Sequence, residues 1–255
     1  MELLKSKIKT LSTKTKAEEL TYCCVNCGYP VKELYHVYSP TVQKLTDCKN
    51  CRHLADPFIE YDNLYIIINL ILLSTNVQRH ILYNSSCKSL YKILMIITIV
   101  ESYFLWNELS QTKKNHYAIN DSMKDPLFME KGFYLSTLQI VLSNLSLFII
   151  IRVISMWTAG ILYANRSLTL DLFHGYMLAS VAKFFFLPII IWNENISEVN
   201  RVVHLFLVVC YFLISLMYVH SNVCGTSKKI SAAVILLAFI INKYIWFHLN
   251  FTGIA

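Results

Sequence analysis

The chain has 255 residues, 55% of them hydrophobic and 15% charged, with a formal net charge of +7. An ordinary soluble domain carries about 25% charged residues; six glycines and five prolines exclude a collagen-like or low-complexity chain. Residues 1–62 read as polar, whereas most of 90–249 is apolar blocks with short polar joints, so a small soluble domain followed by a membrane domain is the simplest division.

Residues 1–20 form a basic arm with five lysines and no continuous apolar core of about 7–15 residues, so no cleavable signal is visible. The expected fate of this end is to stay in the cytosol, with the first spanning segment as anchor.

Eight cysteines follow, and four of them have metal-ligand spacing: Cys24-x2-Cys27, twenty residues, then Cys48-x2-Cys51. This is the C-x2-C…C-x2-C pattern of zinc sites, at the top of its spacing range. Two thiolates separated by two residues reach one ion if the chain turns tightly between them, and Zn²⁺ takes four ligands in a tetrahedron. Gly28, directly after Cys27, supplies the positive φ that such a turn often needs. The intervening YPVKELYHVYSPTVQKLTD alternates in places and suits a short β-hairpin, so residues 21–62 read as a zinc ribbon holding one structural ion. With all four positions taken by cysteine, no coordination site stays open for catalysis. Disulfides fit a cytosolic domain poorly, and a redox dithiol would need a βαβ context that is not visible. Cys23 is a rival to Cys24 that would break the spacing. His36 and His53 read as exposed or hairpin residues, and Cys87, Cys210 and Cys224 have no partner at ligand spacing.

The run 64–73, LYIIINLILL, is too short to cross about 30 Å of hydrocarbon as a helix. Residues 63–83 read as a helix in the membrane surface that docks the zinc module; the alternative is a buried helix of the small domain. Arg79 and His80, beside it, are candidate contacts for a lipid headgroup or a partner.

Five blocks then approach the length of about 20 apolar residues that a spanning helix needs: 90–107, 133–151, 172–192, 202–220 and 230–249. The run 153–163 either prolongs the second helix or forms a hairpin with it, so the count is bounded between four and six. The fold class is mainly α: a small zinc ribbon followed by a multi-pass helical membrane domain over 90–249. Arg79, Lys88, Lys92, Arg152, Arg166, Lys228 and Lys229 on one side favour an N-inside, C-outside topology; four lysines in 108–132 weigh against it. Glu101 inside the first span and Lys183 inside the third each cost about 2.5–3.5 kcal/mol at a bilayer centre. They form a polar seam that meets a headgroup or pairs the two helices, or, more simply, Lys183 snorkels and Glu101 reaches water at the surface.

Residues 23–84 carry a longer pattern: C-x2-C-G, L-Y…Y-S, L-T-x-C-x2-C, A-D-P-F-I-E-Y-D, I-N-L-I-L-L and R-H-I-L-Y-N at 79–84. In order and spacing this resembles the homology domain of the Arv family, "ACAT-related protein required for viability". Phe58 stands where a tyrosine is expected. The resemblance covers about a quarter of the chain; the remainder agrees in architecture. It implies a mediator of sterol and lipid homeostasis in the endoplasmic reticulum membrane, with the zinc domain cytosolic. It also implies intracellular sterol transport and links to sphingolipid metabolism and glycosylphosphatidylinositol precursors. It carries the zinc ligands to Cys24, Cys27, Cys48 and Cys51 and offers no catalytic residues. The alternative is a scaffold that holds lipid-processing membrane proteins and moves no lipid. An enzyme is not expected, since the chain has no G-x-S-x-G, H-E-x-x-H or P-loop. Nucleic acid is not an expected partner: the positive charge is spread over loops and suits anionic lipid.

Overall fold

The computed structural model describes residues 22–39, 42–85, 90–116, 126–159, 166–192 and 198–249. The basic arm and Cys87 lie outside them. The chain divides into two compact units, Met1–Ser85 and Ser86–Ala255.

In the first unit, β1 (Tyr22–Cys23) pairs antiparallel with β2 (Pro30–Val31). A second hairpin joins β3 (Tyr35–Ser39) to β4 (Val42–Leu45), with Tyr35 opposite Leu45 and a bulge between Val37 and Ser39. This is the hairpin that the alternation between the cysteine pairs predicts. A 3-10 turn, Pro57–Glu60, starts where the Asp56 carboxylate accepts from the Phe58 amide at 3.0 Å. Helix α1 (Asn63–Ile71) then ends at Leu73, whose positive φ of 56° breaks it. Helix α2 (Thr75–Arg79) runs into a π-helical turn, His80–Asn84. The 63–83 segment is thus two helices and a turn rather than one helix. Its inner residues Ile66, Leu70 and Ile81 pack on a small core of Val25, Phe58 and Val77.

The second unit is helical: α3 (Leu90–His116), α4 (Pro126–Ala159), α5 (Arg166–Ser180), α6 (Phe186–Trp192), α7 (Glu198–Cys224) and α8 (Lys228–Leu249). Five stretches are long and apolar enough to cross a membrane: Leu90–Ser110, Glu130–Thr158, Leu168–Trp192, Val199–Cys224 and Lys228–His248. The run from 153 continues the second span to Ala159, so it prolongs that helix. Helices α3 and α4 extend to His116 and from Pro126, which shortens the 108–132 joint.

The third span is central and packs on the first, second and fourth. Between α5 and α6 it tightens into a 3-10 stretch, Val181–Phe185. Pro188 explains the change of winding: it has no amide hydrogen, and its ring crowds the carbonyl four residues earlier, at Phe184. Gly175 permits the approach of the fourth span, because a Cβ there would lie 2.4 Å from Val219 Cγ1. The fifth span packs on the second and fourth.

Candidate functional site

The two cysteine pairs sit on two turns of the same construction. The Gly28 amide donates to the Cys24 carbonyl and the Arg52 amide to the Cys48 carbonyl, both at 2.9 Å. The Cys24 amide donates to Tyr29 and the Cys48 amide to His53, both at 2.8 Å. In each turn the residue after the second cysteine has positive φ, 73° at Gly28 and 59° at Arg52. Glycine adopts this at no steric cost; the second turn holds an arginine there. The repeated C-x-N-C, with Asn26 and Asn50 at matching places, was the sequence signal for this symmetry.

These turns face one another. The four Sγ atoms of Cys24, Cys27, Cys48 and Cys51 lie within 4.8 Å of each other. Cys24 and Cys51 are 3.8 Å apart and Cys27 and Cys48 3.6 Å. A tetrahedral ion with metal–sulfur bonds near ~2.3 Å places its sulfurs about 3.8 Å apart, whereas a disulfide needs about 2.05 Å. The quartet therefore fits one metal ion and not two disulfides. Burial pushes the Cys24 thiol up to about 12, against the opposing amides of Cys27 and Asn26. At Cys27 desolvation also opposes ionisation, but hydrogen bonds from the Asn50 side chain and the Tyr29 backbone outweigh it and bring the thiol down to about 7. Cys23 stays outside the quartet, its thiol on the Cys24 carbonyl at 3.5 Å, and burial pushes it up to about 11. His53 bonds the Cys51 carbonyl and exposed His36 pairs with Glu33 at 2.9 Å, so neither joins the ligands.

A second closure, which the spacing of the cysteines does not announce, ties the end of the segment back to its start. The buried Asp56 Oδ2 lies 2.6 Å from His80 Nδ1 and accepts from Asn84 Nδ2 at 2.7 Å. Asn84 also accepts from the Cys23 amide and donates to its carbonyl, each at 2.8 Å. Arg79 Nη1 donates to the carbonyls of Val25 and Asn26, at 3.0 and 2.8 Å, and so braces the first metal turn. The candidate contacts for a headgroup or a partner thus take part in the module's own hydrogen bonding: His80 is buried against a carboxylate, and half-buried Arg79 holds two carbonyls through Nη1. The motif signal for Asp56 and Asn84 was in A-D-P-F-I-E-Y-D and H-I-L-Y-N.

In the membrane unit the structure brings Glu101 and Lys183 together. Lys183 Nζ donates to both carboxylate oxygens of Glu101, at 3.0 and 2.9 Å, and to Asn144 Oδ1 at 2.7 Å. Asn144 in turn donates to Glu101 at 3.2 Å and accepts from Tyr176 at 2.9 Å. The ammonium also lies 4.6 Å from the centre of the Phe212 ring. Lys183 is only 6% exposed, so it does not snorkel. One network thus links the first four spans. Hydropathy could not reveal Asn144 and Tyr176, which sit in the second and third spans without a motif.

Two neutral networks flank it. Ser146 joins Asn242 at 2.6 Å and Trp246 at 3.0 Å, tying the second span to the fifth. His220 lies 2.9 Å from Ser155 Oγ and 3.0 Å from Ser231 Oγ, with the buried Cys224 thiol at 3.6 Å. The bundle ends are clasped too: Arg201 pairs with Glu108 at 3.2 Å and Arg152 donates to Thr169 at 3.0 Å.

A cluster of four thiols that could hold a metal ion in the first unit, with five candidate spans in the second, defines the class: a multi-pass membrane protein with an N-terminal four-cysteine module. The chain belongs to the Arv1-like family, which matches residues 23–216. It is similar to Protein ARV1 of Mus musculus, 26% identical over 233 residues, covering 89% of this chain and 82% of that one. Protein ARV1 of Homo sapiens is 30% identical over 179 residues, covering 70% and 65% respectively, so the match spans just under two thirds of that relative. Protein ARV 1 of Arabidopsis thaliana is 31% identical over 179 residues, 69% of this chain and 70% of its own. No solved structure matches the chain.

Proposed function

We propose that this protein is a non-enzymatic mediator of lipid homeostasis in the endoplasmic reticulum membrane, acting in intracellular sterol distribution, with links to sphingolipid metabolism and to glycosylphosphatidylinositol precursors. Membership of the Arv1-like family is the observation that carries the reading. The metal is one structural Zn²⁺: an all-thiolate set suits zinc, and a module with two core clusters of three buried side chains each gains its cross-link from it. Four protein thiolates leave no open position on the ion, and Glu101 and Lys183 are occupied by one another, which supports a role without catalysis. Loop charges support a cytosolic module, and its 63–84 segment works with the ribbon as one unit at that face.

One observation favours a second reading. The Lys183 ammonium has all its donors engaged by the protein's own oxygens, so the network is built to hold helices together. On that reading the chain is a scaffold for lipid-processing or glycosylphosphatidylinositol-synthesising membrane proteins. Mass spectrometry of the gently purified intact chain separates the two. Retained sterol, sphingolipid or glycosylphosphatidylinositol precursor above the level in a control membrane protein is the expected result. Co-purified lipid-processing enzymes with no enriched lipid would establish the scaffold.

A further inference from the structure

Helix α1 is amphipathic in an unusual sense: one side packs on protein and the other side is also apolar. Ile66 and Leu70 turn toward the module's core. Leu64, Ile67, Ile68, Ile71 and Leu72 are exposed, Leu72 by 72%. No residue of α1 is buried. From 63 to 78 the sequence contains no charged side chain. Scattered exposed leucines are ordinary, but a continuous patch of this kind marks an interaction surface.

Three observations identify its occupant. At nine residues α1 is about 14 Å long, too short to cross a bilayer and suited to lying in its surface. The chain from Ser85 to Leu90, where the first candidate span begins, reaches at most about 18 Å whatever its conformation, so the bilayer is always within range. Tyr61 and Tyr65, paired at 4.5 Å between ring centres, stand beside the patch with both ring and hydroxyl available, as interfacial tyrosines do. The patch itself carries no charge to attract an anionic headgroup. Over residues 22–85 five basic side chains balance five acidic ones, and Arg79 Nη1 is engaged by two carbonyls.

We propose that the outer face of α1 inserts into the lipid bilayer, with Ile67, Ile68, Ile71 and Leu72 among the acyl chains, by hydrophobic contact that needs no anionic lipid. The inference rests on the proposed placement of the module at a membrane face and adds to it the lipid-contacting residues and the neutral mode of contact. It differs from recognition of a phosphate headgroup, for which α1 offers no cationic side chain.

The test uses the intact chain in phosphatidylcholine vesicles, with benzoylphenylalanine placed in separate proteins at Ile68, Leu72, Lys49 and Ile96. Ile96 is an exposed residue of the first span and serves as the positive control. After irradiation, intact mass should show a phosphatidylcholine adduct at positions 68 and 72, with a yield at least about tenfold above that at Lys49. One zinc per chain in each protein verifies that the module is folded. Replacing a third of the lipid by phosphatidylserine should change the yield by less than about twofold. Adducts at Ile96 but none at 68 or 72 would overturn the proposal. So would cross-linked dimers in place of lipid adducts, or adducts that require phosphatidylserine. Retention of sterol by the purified chain is scored independently, so failure here and failure of the lipid-handling reading are distinguishable.

Discussion

In residues 22–85 the buried polar side chains Asp56, Gln78 and His80 lie beside a core of only a few apolar residues, and α1 shows its isoleucines to the outside. In the spans the pattern is broader: Lys183, His220, Asn242 and a series of serines are buried, while leucine, isoleucine, valine and phenylalanine cover the outside. The solvent accounts for the difference. Helices in lipid gain nothing from burying leucine against leucine, so small residues and hydrogen bonds join them. A module this small buries little apolar surface and gains from a cross-link. One unit thus brings four thiols together at a site that fits a metal, with a buried carboxylate network beside it; the other is joined by an ion pair.

The comparison is most sharply broken at the metal. Cys48→Ser should lower zinc from one per intact chain to near zero, because binding worth about 10–16 kcal/mol is also folding energy in such modules; elemental analysis reads this directly. Acid should weaken the same site. Cys24, raised to about 12 by burial, and Cys51 are protonated in the metal-free protein at neutral pH. At Cys51 the His53 amide favours the thiolate but is outweighed by desolvation and the neighbouring thiols. Binding must release at least these two protons, so affinity is greatest at high pH and should fall at least about a hundredfold from pH 8 to pH 7. Competition with a chelator of known affinity measures the slope.

Next in size is the ion pair. Glu101→Gln or Lys183→Met strands a buried partner and should cost about 3–5 kcal/mol. The double variant Glu101→Gln/Lys183→Met should lose less than the sum, as thermal unfolding in detergent can establish. Asp56→Ala removes the acceptor for the Phe58 amide and Asn84 and the partner of His80, with an expected loss of about 3 kcal/mol. Faster amide exchange confined to residues 22–85 is the readout. The smallest effect is steric: Gly175→Ala should cost about 1–3 kcal/mol through Val219, and Val219→Ala in the same chain should restore most of it.

The difference between the units also decides what the sequence discloses. Metal ligands must be close in space and come in close pairs along the chain, so Cys24, Cys27, Cys48 and Cys51 were legible from spacing alone. Glycine after Cys27 pointed to the first turn; Arg52 in the second gave no such sign. The five spans were legible because lipid demands length and apolarity, and their cores were placed to within a turn or two. What hydropathy cannot contain is the face each helix turns inward. Glu101 and Lys183 stood out as charges, but their pairing across 82 residues, and Asn144 between them, depend on how the helices rotate and on the 3-10 stretch before Pro188. The internal bonds of Arg79 and His80 were hidden for a related reason. A cation and an imidazole beside an apolar run suggest a headgroup site, and nothing in the spacing shows that the carbonyls of Val25 and Asn26 and the buried Asp56 also engage them.

Hydrogen–deuterium exchange of the intact chain in lipid nanodiscs, before and after a strong zinc chelator, tests the central contrast most directly. Residues 22–85 should lose protection on chelation while the spans, including the segments around Glu101, Asn144 and Lys183, keep theirs. Unchanged protection in 22–85 after the metal is removed, or loss of protection spreading through the spans, would contradict it.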